Sequence, residues 1–400
     1  MTSLSPAADG ESGGALDDGP VVPRYGHGTL SAVLPGAAAA LGVDLGLDAV
    51  PLPAAHGVCV VLVDGLGARL LAEVAADGAR DAPFLTAMMG AERPAGCPSE
   101  LRVGCPTTTA TSMGSFGTGL PPGRHGLVGY EVRDPDRGVL LNELRWDPYT
   151  DPLGWQPLPT VFARCAAAGV AVTRIGDPEF AGSGLTVAAH RGGNFVGLTA
   201  VGDRVDAAVT ALSGTDRSLV YLYWGKVDAA GHEHGWRSRA WRAALREIDA
   251  ALADLAERLP AGARLVVTAD HGMVDVPHAG RLDLADAPAL REGIAILGGE
   301  SRFVQLYCRP GHADAVARRM ADAVGDRAWV RSRDEAIAQG WFGPVDDRVR
   351  PRIGDVLIAA RGAFAVVDRA VTRRHILALI GQHGSLTEDE QWVPLLTVAR

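Results

Sequence analysis

The sequence predicts an α/β fold in which helices sandwich a mostly parallel central sheet. Three apolar runs of strand length, residues 58–63, 219–224 and 264–269, have the continuous hydrophobicity of strands that are buried on both faces. Helical patterns accompany them, one from Ala68 to Ala76 and one after Ser238 with apolar residues three and four positions apart. A chain of 400 residues that is 47% hydrophobic can form one large α/β domain with an inserted piece.

The character of the sequence changes along the chain, and this predicts three parts. Residues 1–24 are acidic and lack the basic start and apolar middle of a secretory signal, so we expect a disordered tail. Residues 295–375 alternate short strand patterns with one helical pattern, which is typical of a small inserted α+β cap. Residues 25–294 and 376–400 form the core, in which residues 131–158, with four prolines, are expected to be an irregular lid.

Charge and composition argue against several classes of function. A net charge of −9 and a pI near 5.7 disfavour a nucleic-acid groove, which needs a basic face. No apolar run reaches the length of a membrane span. The five cysteines are scattered and odd in number, without CxxC spacing, which predicts a reduced, cytoplasmic protein. The sequence carries no signal for an oligomeric state.

Hydroxyls and glycines are concentrated between Cys105 and Gly119, and the small residues from Thr107 to Ser115 are typical of a helix start. The free N–H groups at a helix start bind anions such as phosphate. A hydroxyl at such a position becomes a nucleophile if its pKa is lowered. The alternative is a threonine-rich capping loop without chemistry, and this segment alone does not decide between the two.

Acidic and histidine residues follow the predicted strands, at the edge where parallel sheets bind their ligands. Asp64 ends the first strand, and Asp270 with His271 ends the third. Asp228 and His232 follow the second strand four positions apart, so one helical turn places them on the same face. The candidate metal ligands are Asp64, Thr109, Asp228, His232, Asp270, His271 and His383.

Seven nitrogen and oxygen ligands are enough for two divalent metals with open positions. A ligand set without thiolate suits zinc, with manganese or iron as alternatives, and three histidines disfavour magnesium. Two metals about 4 Å apart activate a nucleophile and stabilise a leaving oxygen, which predicts phosphoryl transfer. The alternative explains each residue separately as turn chemistry, but it leaves their common position at one sheet edge unexplained.

Five ordered motifs make the chain resemble the alkaline phosphatase superfamily, in its type I phosphodiesterase/nucleotide pyrophosphatase branch. Their order and strand-end positions match the family from about residue 56 to residue 400. The motifs are VVLVDGLG, PTTTATSMGSFGTGLPPGRHGLVGY, VDAAGHEHG, TADHGM and GQHG. The resemblance implies an alkaline phosphatase-like fold and hydrolysis of phosphodiester or pyrophosphate bonds in a small phosphate ester or nucleotide.

The resemblance also implies a threonine nucleophile that becomes phosphorylated or nucleotidylated. Alignment back from the turn at residues 118–120 places this nucleophile at Thr109, and subsequent attack by water gives net retention at phosphorus. One metal would be held by Asp64, Thr109, Asp270 and His271, and the other by Asp228, His232 and His383. The candidate substrate-binding residues are Ala110, Ser112, Tyr130 and Lys226.

Two positions depart from the family pattern. Diesterases have an aromatic residue after the nucleophile and an asparagine three positions from it, where this chain has Ala110 and Ser112. Nucleotide selectivity is therefore not implied. The alternatives are C–P cleavage as in phosphonoacetate hydrolases, phosphomonoester hydrolysis, and the chemistry of phosphopentomutases or cofactor-independent phosphoglycerate mutases. Outside enzymes, the alternative is a non-catalytic metal-binding relative.

Overall fold

The computed structural model describes residues 19–214 and 217–400. Its strands are β1 (Gly57–Val63), β2 (Glu100–Arg102), β3 (Glu131–Asp134), β4 (Val139–Asn142), β5 (Ala171–Gly176), β6 (Asn194–Gly197), β7 (Ser218–Trp224), β8 (Ala263–Thr268), β9 (Val274–Asp275), β10 (Arg281–Asp283), β11 (Ile294–Glu300), β12 (Phe303–Cys308), β13 (Ala328–Ser332), β14 (Val356–Ala360), β15 (Ala365–Val367), β16 (Gly381–Gln382), β17 (Trp392–Pro394) and β18 (Leu396–Ala399). Its α-helices are α1 (Val33–Ala40), α2 (Ala68–Ala76), α3 (Pro83–Met89), α4 (Thr109–Thr118), α5 (Pro122–His125), α6 (Pro152–Trp155), α7 (Val161–Ala167), α8 (Gly184–His190), α9 (Val201–Ser213), α10 (Lys226–His234), α11 (Arg239–Glu257), α12 (Ala313–Val324), α13 (Arg333–Ala338), α14 (Arg374–Ala378) and α15 (Glu388–Gln391).

The central sheet has six strands in the order β18-β8-β1-β7-β5-β6. Strand β1 lies parallel to both of its neighbours, with Val58 opposite Leu219 of β7 and Cys59 opposite Leu265 of β8. Every residue of β1 is buried, as its unbroken apolar sequence predicts, and α1 and α9 pack against it. Strand β18 pairs antiparallel with β8. The predicted α/β class with a mostly parallel sheet is confirmed.

Helix α11 shows how the predicted apolar stripe becomes part of the core. The Ser238 hydroxyl accepts a hydrogen bond from the Trp241 N–H (3.1 Å), which caps the first turn. Burial of each large apolar side chain on the inner face contributes roughly 1.5–3 kcal/mol. The buried stripe consists of Trp241, Leu245, Ile248, Leu252 and Leu255.

Two predicted elements differ from the structure. The apolar run at residues 393–398, whose length predicts one final strand, contributes to two short strands, because β17 pairs with β2 whereas β18 joins the central sheet beside β8. The lid expected to be irregular contains the hairpin β3–β4 and the short helix α6. In this hairpin the buried Val132 lies opposite the buried Leu141, but four residues per strand give too short an alternation to be recognised in the sequence.

A separate antiparallel sheet, in the order β11-β12-β14-β13, lies in the segment that was predicted to be a cap. Helix α12 matches the helical pattern at residues 313–324 and packs on this sheet through apolar side chains. This second cluster includes Val304, Leu306, Val316, Met320, Val356 and Ile358. Phe303 and Leu357 of the same sheet belong to the main core instead, and the division into core and cap stays a prediction.

Three other predictions concern features outside the sheets. In the part of the chain that the structure describes, no helix has both the length and the apolar character needed to cross a membrane. All five cysteines are free, and four of them are buried. Most of the predicted tail, residues 1–18, lies outside the described residues, so its disorder stays a prediction.

Candidate active site

The carboxyl ends of three adjacent strands, β8, β1 and β7, bring the predicted acidic residues together. Asp64 follows β1, Asp228 lies in the first turn of α10 after β7, and Asp270 follows β8. The Asp64 N–H donates to the Trp224 carbonyl (2.9 Å), which fixes the end of β1 against β7. Gly65 has φ +73°, and a Cβ there would lie 3.0 Å from Asp228, so a larger residue would separate the two segments.

Helix α4 begins beside these strand ends. Thr108 precedes the helix, Thr109 is its first residue, and no side chain caps its first turn. The Ser112 hydroxyl donates to the Asp270 carbonyl (2.7 Å) and anchors α4 to the end of β8. Thr109 Oγ1 consequently lies 3.3 Å from His271 Nε2. The predicted nucleophile therefore sits at an uncapped helix start, where anions bind.

The segment that begins with β16 is held against the same helix start. The Thr107 hydroxyl donates to the Ser385 carbonyl (2.9 Å) and accepts the Gly384 N–H (3.0 Å). His383 Nδ1 donates to the Thr107 carbonyl (2.8 Å). These bonds place His383 beside α4, although 276 positions separate it from Thr107.

One group of potential ligands surrounds His271 Nε2. This atom lies 3.4 Å from Asp64 Oδ1 and 3.6 Å from Asp270 Oδ2. Thr109 Oγ1 approaches the same nitrogen, and ligand atoms of Asp64, Asp228 and His271 all lie within 4.8 Å of one another. The structure therefore brings together the four residues predicted for the first metal, with Asp228 close by.

A second group contains Asp228, His232 and His383, whose ligand atoms also lie within 4.8 Å of one another. His232 Nε2 is 3.3 Å from Asp228 Oδ2, as their spacing on α10 predicts. His383 Nε2 is 3.2 Å from His232 Nε2. Asp228 belongs to both groups, so its carboxylate lies between the two candidate metal positions.

The three imidazoles are oriented alike. His232 Nδ1 lies 2.7 Å from the Gly381 carbonyl, and His271 Nδ1 lies 3.0 Å from the Gly272 carbonyl. His383 makes the equivalent bond to Thr107. With the proton on Nδ1, each Nε2 presents a lone pair to the cluster, the arrangement of a metal-ligating histidine.

Electrostatics in the cluster favour a cation. Burial raises the pKa of Asp64 well above its ordinary value, and the neighbouring Asp270 and Asp228 raise it further. Burial, followed by Asp228, raises the pKa of Asp270. Asp64 Oδ1, Asp228 Oδ1 and Asp270 Oδ2 are buried without hydrogen-bond partners. Unpartnered carboxylate oxygens beside imidazole lone pairs are the donor set that divalent transition metals require, so the residues present fit such metals.

A cavity of about 800 Å³ opens onto both groups. Its volume suits a ligand of nucleotide or drug size. Aromatic side chains form part of its wall, and the Phe180 and Tyr223 rings meet edge to face with centroids 5.7 Å apart. Tyr223 also donates its hydroxyl proton to Asp64 Oδ2, which links this wall to the cluster.

The four predicted substrate-binding residues occupy different surroundings. Tyr130 lines the cavity. Ala110 and Ser112 are buried inside the protein, with the Ser112 hydroxyl bonded to β8. The Lys226 ammonium pairs with Glu247 (3.0 Å) on an exposed surface outside the cavity lining. Lys226 lies two positions before Asp228 on α10, so the two side chains point to different sides of the helix.

Glu300 is a cavity residue that the sequence analysis did not identify. It ends β11, and its Oε2 lies 3.7 Å from His383 Nδ1. Burial raises its pKa, against the effect of a hydrogen bond with the Thr108 hydroxyl. The available signal was an acidic residue at the end of a strand. That strand belongs to the predicted cap, and the local sequence does not show that the cap lies beside α4.

Comparisons with known structures agree with this architecture. Murine ectonucleotide pyrophosphatase/phosphodiesterase 5 has a TM-score of 0.68 and 19% identity, over 86% of this chain and 88% of that one. A complex of the same murine protein with AMP, described as inactive and carrying a Thr→Ala change, gives 0.66. Phosphonoacetate hydrolase from Sinorhizobium meliloti 1021, in complex with phosphonoacetate, gives 0.63 at 20% identity, over 86% of this chain and 90% of that one.

Sequence comparisons identify the family. Phosphopentomutase from Anaeromyxobacter dehalogenans is 36% identical over 121 residues, which are 29% of this chain and 28% of that enzyme. The chain therefore spans less than a third of the curated relatives it matches. The type I phosphodiesterase/nucleotide pyrophosphatase family matches residues 58–386, which include all seven candidate ligands. The chain belongs to the type I phosphodiesterase/nucleotide pyrophosphatase family.

Proposed function

We propose that the protein is a metal-dependent hydrolase of phosphodiester or pyrophosphate bonds, with Thr109 as its nucleophile. One observation carries this proposal: Thr109 Oγ1 lies at an uncapped helix start and 3.3 Å from His271 Nε2, beside two carboxylate–histidine groups that share Asp228. The family supports the class of reaction. The AMP complex of the inactive Thr→Ala murine relative supports both a threonine and a nucleotide-like ligand.

Two divalent metals fit the ligand groups, and mixed nitrogen and oxygen donors without sulfur favour zinc over manganese or iron. The first would be held by Asp64, Thr109, Asp270 and His271, and the second by Asp228, His232 and His383. When bound, such metals supply positive charge that favours the alkoxide form of a hydroxyl and stabilises a leaving oxygen. The free cysteines suit a reducing, cytoplasmic location.

The residues of the chain then perform two displacements. The Thr109 hydroxyl loses its proton to solvent, and its Oγ1 forms a bond to phosphorus while the bond to the leaving oxygen breaks; the leaving oxygen keeps the electron pair and takes up a proton from solvent. The N–H groups of the uncapped first turn of α4 hold the non-bridging oxygens as negative charge builds. Water then attacks phosphorus and loses a proton, the bond from phosphorus to Thr109 Oγ1 breaks, and Thr109 is protonated again. Two in-line displacements give net retention at phosphorus.

Cleavage of a C–P bond is the second candidate, and the similarity to phosphonoacetate hydrolase favours it. Phosphomonoester hydrolysis is the third chemistry to separate. The diester is the favoured substrate. Among the described residues no arginine nitrogen lies within 4.0 Å of the carboxylates of Asp64, Asp228 and Asp270, so the second negative charge of a monoester would lack an arginine partner at the cluster.

The test is turnover of matched substrates by metal-loaded protein, with and without a chelator. The substrates are bis(4-nitrophenyl) phosphate, 4-nitrophenyl phosphate, a dinucleoside polyphosphate and phosphonoacetate. We expect the highest kcat/KM for a diester or the polyphosphate, and loss of activity on chelation. Preferred cleavage of phosphonoacetate would establish the second candidate. Absence of turnover of all four by protein that holds two metals would reject an enzymatic function of this type.

A further inference from the structure

A buried arginine faces the cavity away from the metal-ligand groups. Arg174 lies on β5, is 8% exposed, and lines the cavity. Its contacts are a long bond from Nη2 to the Gly193 carbonyl (3.5 Å) and the Phe195 ring, 5.6 Å from the guanidinium carbon. Its Nε is buried without a partner. Among residues 19–214 and 217–400, no carboxylate oxygen lies within 4.0 Å of this guanidinium, and no carboxylate influences its pKa, so the protein does not neutralise its charge.

His190 adds a second unpartnered group to the same wall. It is 7% exposed, its ring bonds to the Met113 carbonyl, and its Nε2 is buried without a partner. Burial, followed by the charge of Arg174, lowers the pKa of His190 to about 3, so the ring is neutral. Both side chains adjoin Tyr221, which pairs with Arg174 across β5 and β7 and whose ring centroid is 5.1 Å from that of His190.

The position of this pair relative to the nucleophile follows from two elements. Met113 lies one helical turn after Thr109 on α4, and the Tyr221 hydroxyl donates to its sulfur (3.7 Å). On β7, Tyr223 lies two residues after Tyr221 and reaches Asp64 with its hydroxyl. Residues two apart on a strand are about 7 Å apart on the same face. Strand β5 is also the second strand from β1, which adds two strand spacings of about 4.8 Å across the sheet. The guanidinium of Arg174 is therefore roughly 10 Å from the cluster along the cavity wall.

We propose that Arg174, with His190 beside it, forms a second anion-binding subsite, which takes a carboxylate or phosphate group on the part of the substrate remote from the reacting phosphorus. The inference rests on the proposed function and narrows its substrate class to molecules with a second negative charge. Arginine binds both kinds of oxyanion through paired N–H donors. His190 Nε2 accepts a hydrogen bond from a hydroxyl or N–H group next to that anion.

The distance between Arg174 and the cluster is too long for phosphonoacetate, the ligand in the phosphonoacetate hydrolase structure, to span. The carboxylate of phosphonoacetate is one carbon from phosphorus, which is too short to reach Arg174 from the cluster. A purely structural role is also a poor explanation, because a buried guanidinium without a carboxylate partner is costly to the fold. Methionine has a similar length and no charge, so Arg174→Met should leave the melting temperature unchanged or raise it.

Binding of three non-hydrolysable phosphonates of similar length tests the subsite by calorimetry on metal-loaded protein. Heptylphosphonate has an uncharged tail, 7-phosphonoheptanoate ends in a carboxylate, and hexane-1,6-bisphosphonate ends in a second phosphonate. We expect one or both charged tails to bind about tenfold or more tighter than the uncharged tail, the gain of a charge-assisted hydrogen bond. Comparison of the two charged tails distinguishes a carboxylate from a phosphate ligand.

Arg174→Met should remove this gain while binding of heptylphosphonate changes little, and Arg174→Lys should keep part of it. Arg145 and Arg373 also line the cavity but are exposed, so Arg145→Met and Arg373→Met serve as matched controls that should keep the gain. If Arg145→Met or Arg373→Met lost the tighter binding of the charged tail and Arg174→Met kept it, the tail would bind at that exposed arginine instead of at Arg174. A lower melting temperature for Arg174→Met with an unchanged gain would assign Arg174 a structural role.

The outcomes separate the subsite from the proposed function. Binding of heptylphosphonate without any gain from a charged tail rejects the subsite and leaves the proposed function intact. Absence of binding of all three phosphonates to protein that holds two metals rejects the subsite, whereas the proposed function is rejected only by absence of turnover of the diester and the polyphosphate. Tighter binding of a charged tail that is lost in Arg174→Met and kept in both control variants supports the subsite, whatever the rate of turnover.

Discussion

His232 and His383 face each other through their Nε2 atoms at 3.2 Å, while the Nδ1 of each ring is bonded to a backbone carbonyl. Two lone pairs at this distance repel each other unless a cation lies between or beside them. Burial, followed by His271 and His232, lowers the pKa of His383 well below its ordinary value, so a proton is a poor candidate for that cation. The pair is therefore best explained as part of a metal site.

Replacement of His383 by alanine should remove one metal and leave the other. His383 belongs to the group with Asp228 and His232, whereas Thr109 lies against His271. Elemental analysis of the reconstituted variant should find about one metal per chain instead of two, because each metal needs three or more protein ligands. His234→Ala is the matched control on α10, since His234 is exposed and its nearest charged partner is Glu233. Full occupancy of both sites in His383→Ala would remove His383 from the ligand set.

Asp228→Asn should weaken both metals, the second through loss of a charged ligand and the first through loss of the negative charge beside it. Asp228 is the residue that the two ligand groups share, and its Oδ1 is buried without a hydrogen-bond partner. The change preserves the size of the side chain but removes its charge, so both metals should dissociate at lower chelator concentration than in the wild type. Glu233→Gln, an exposed change on the same helix, should behave as the wild type. Weakening of a single metal would show that Asp228 serves one site only.

The rule that polar residues at the carboxyl ends of parallel strands lie together was enough to predict that Asp64 and Asp270 are neighbours, whereas their role as metal ligands stays a prediction. Asp64 and Asp270 follow apolar runs, and the order β8-β1-β7 makes those runs neighbours. Asp228 and His232 needed only the helical spacing of four. His383 was predicted as a candidate ligand, but its contact with Thr107 was not predicted, because a contact across 276 positions has no local signal.

The walls of the cavity were not predicted, and the reason is physical. Arg174 and His190 become neighbours only when β5 and α8 fold against the same face, and their sequence separation hides that contact. Glu300 reaches the cluster from the sheet of the predicted cap. Lys226 was predicted as a substrate-binding residue, but the helical rotation of α10 directs its side chain to Glu247. The sequence pattern predicts which residues lie on the same helix or strand, whereas the packing of helices and strands against each other decides which side chains line a cavity.

Glu143 should make stability depend on pH. Its carboxylate accepts the N–H groups of Val128 (2.9 Å) and Gly129 (3.1 Å) and the indole N–H of Trp155 (2.7 Å). Burial nevertheless raises its pKa from 4.5 to about 7. The folded protein therefore binds this proton more tightly than the unfolded chain does, and the contribution of Glu143 to stability falls as pH rises from 4.5 to 7.

Urea unfolding of the wild type and Glu143→Gln, both with chelator, measures this effect. The glutamine does not titrate, and all other groups are common to both proteins. The free energy of unfolding of the wild type, relative to the variant, should fall by up to about 3 kcal/mol between pH 5 and pH 8. A difference that is the same at both pH values would show that Glu143 is ionised throughout this range.

The most direct measurement of the central claim is the identity of the residue that carries the covalent intermediate. Metal-loaded protein is quenched with acid during turnover of a diester, digested, and mapped by mass spectrometry. We predict a phosphoryl or nucleotidyl adduct on Thr109 and none in Thr109→Ala, which should lose several orders of magnitude in kcat. The stability of this variant should change little, because the Thr109 side chain does not cap α4. An adduct on Thr107, Thr108 or Thr111, or net inversion at a chiral phosphorus, would contradict the account.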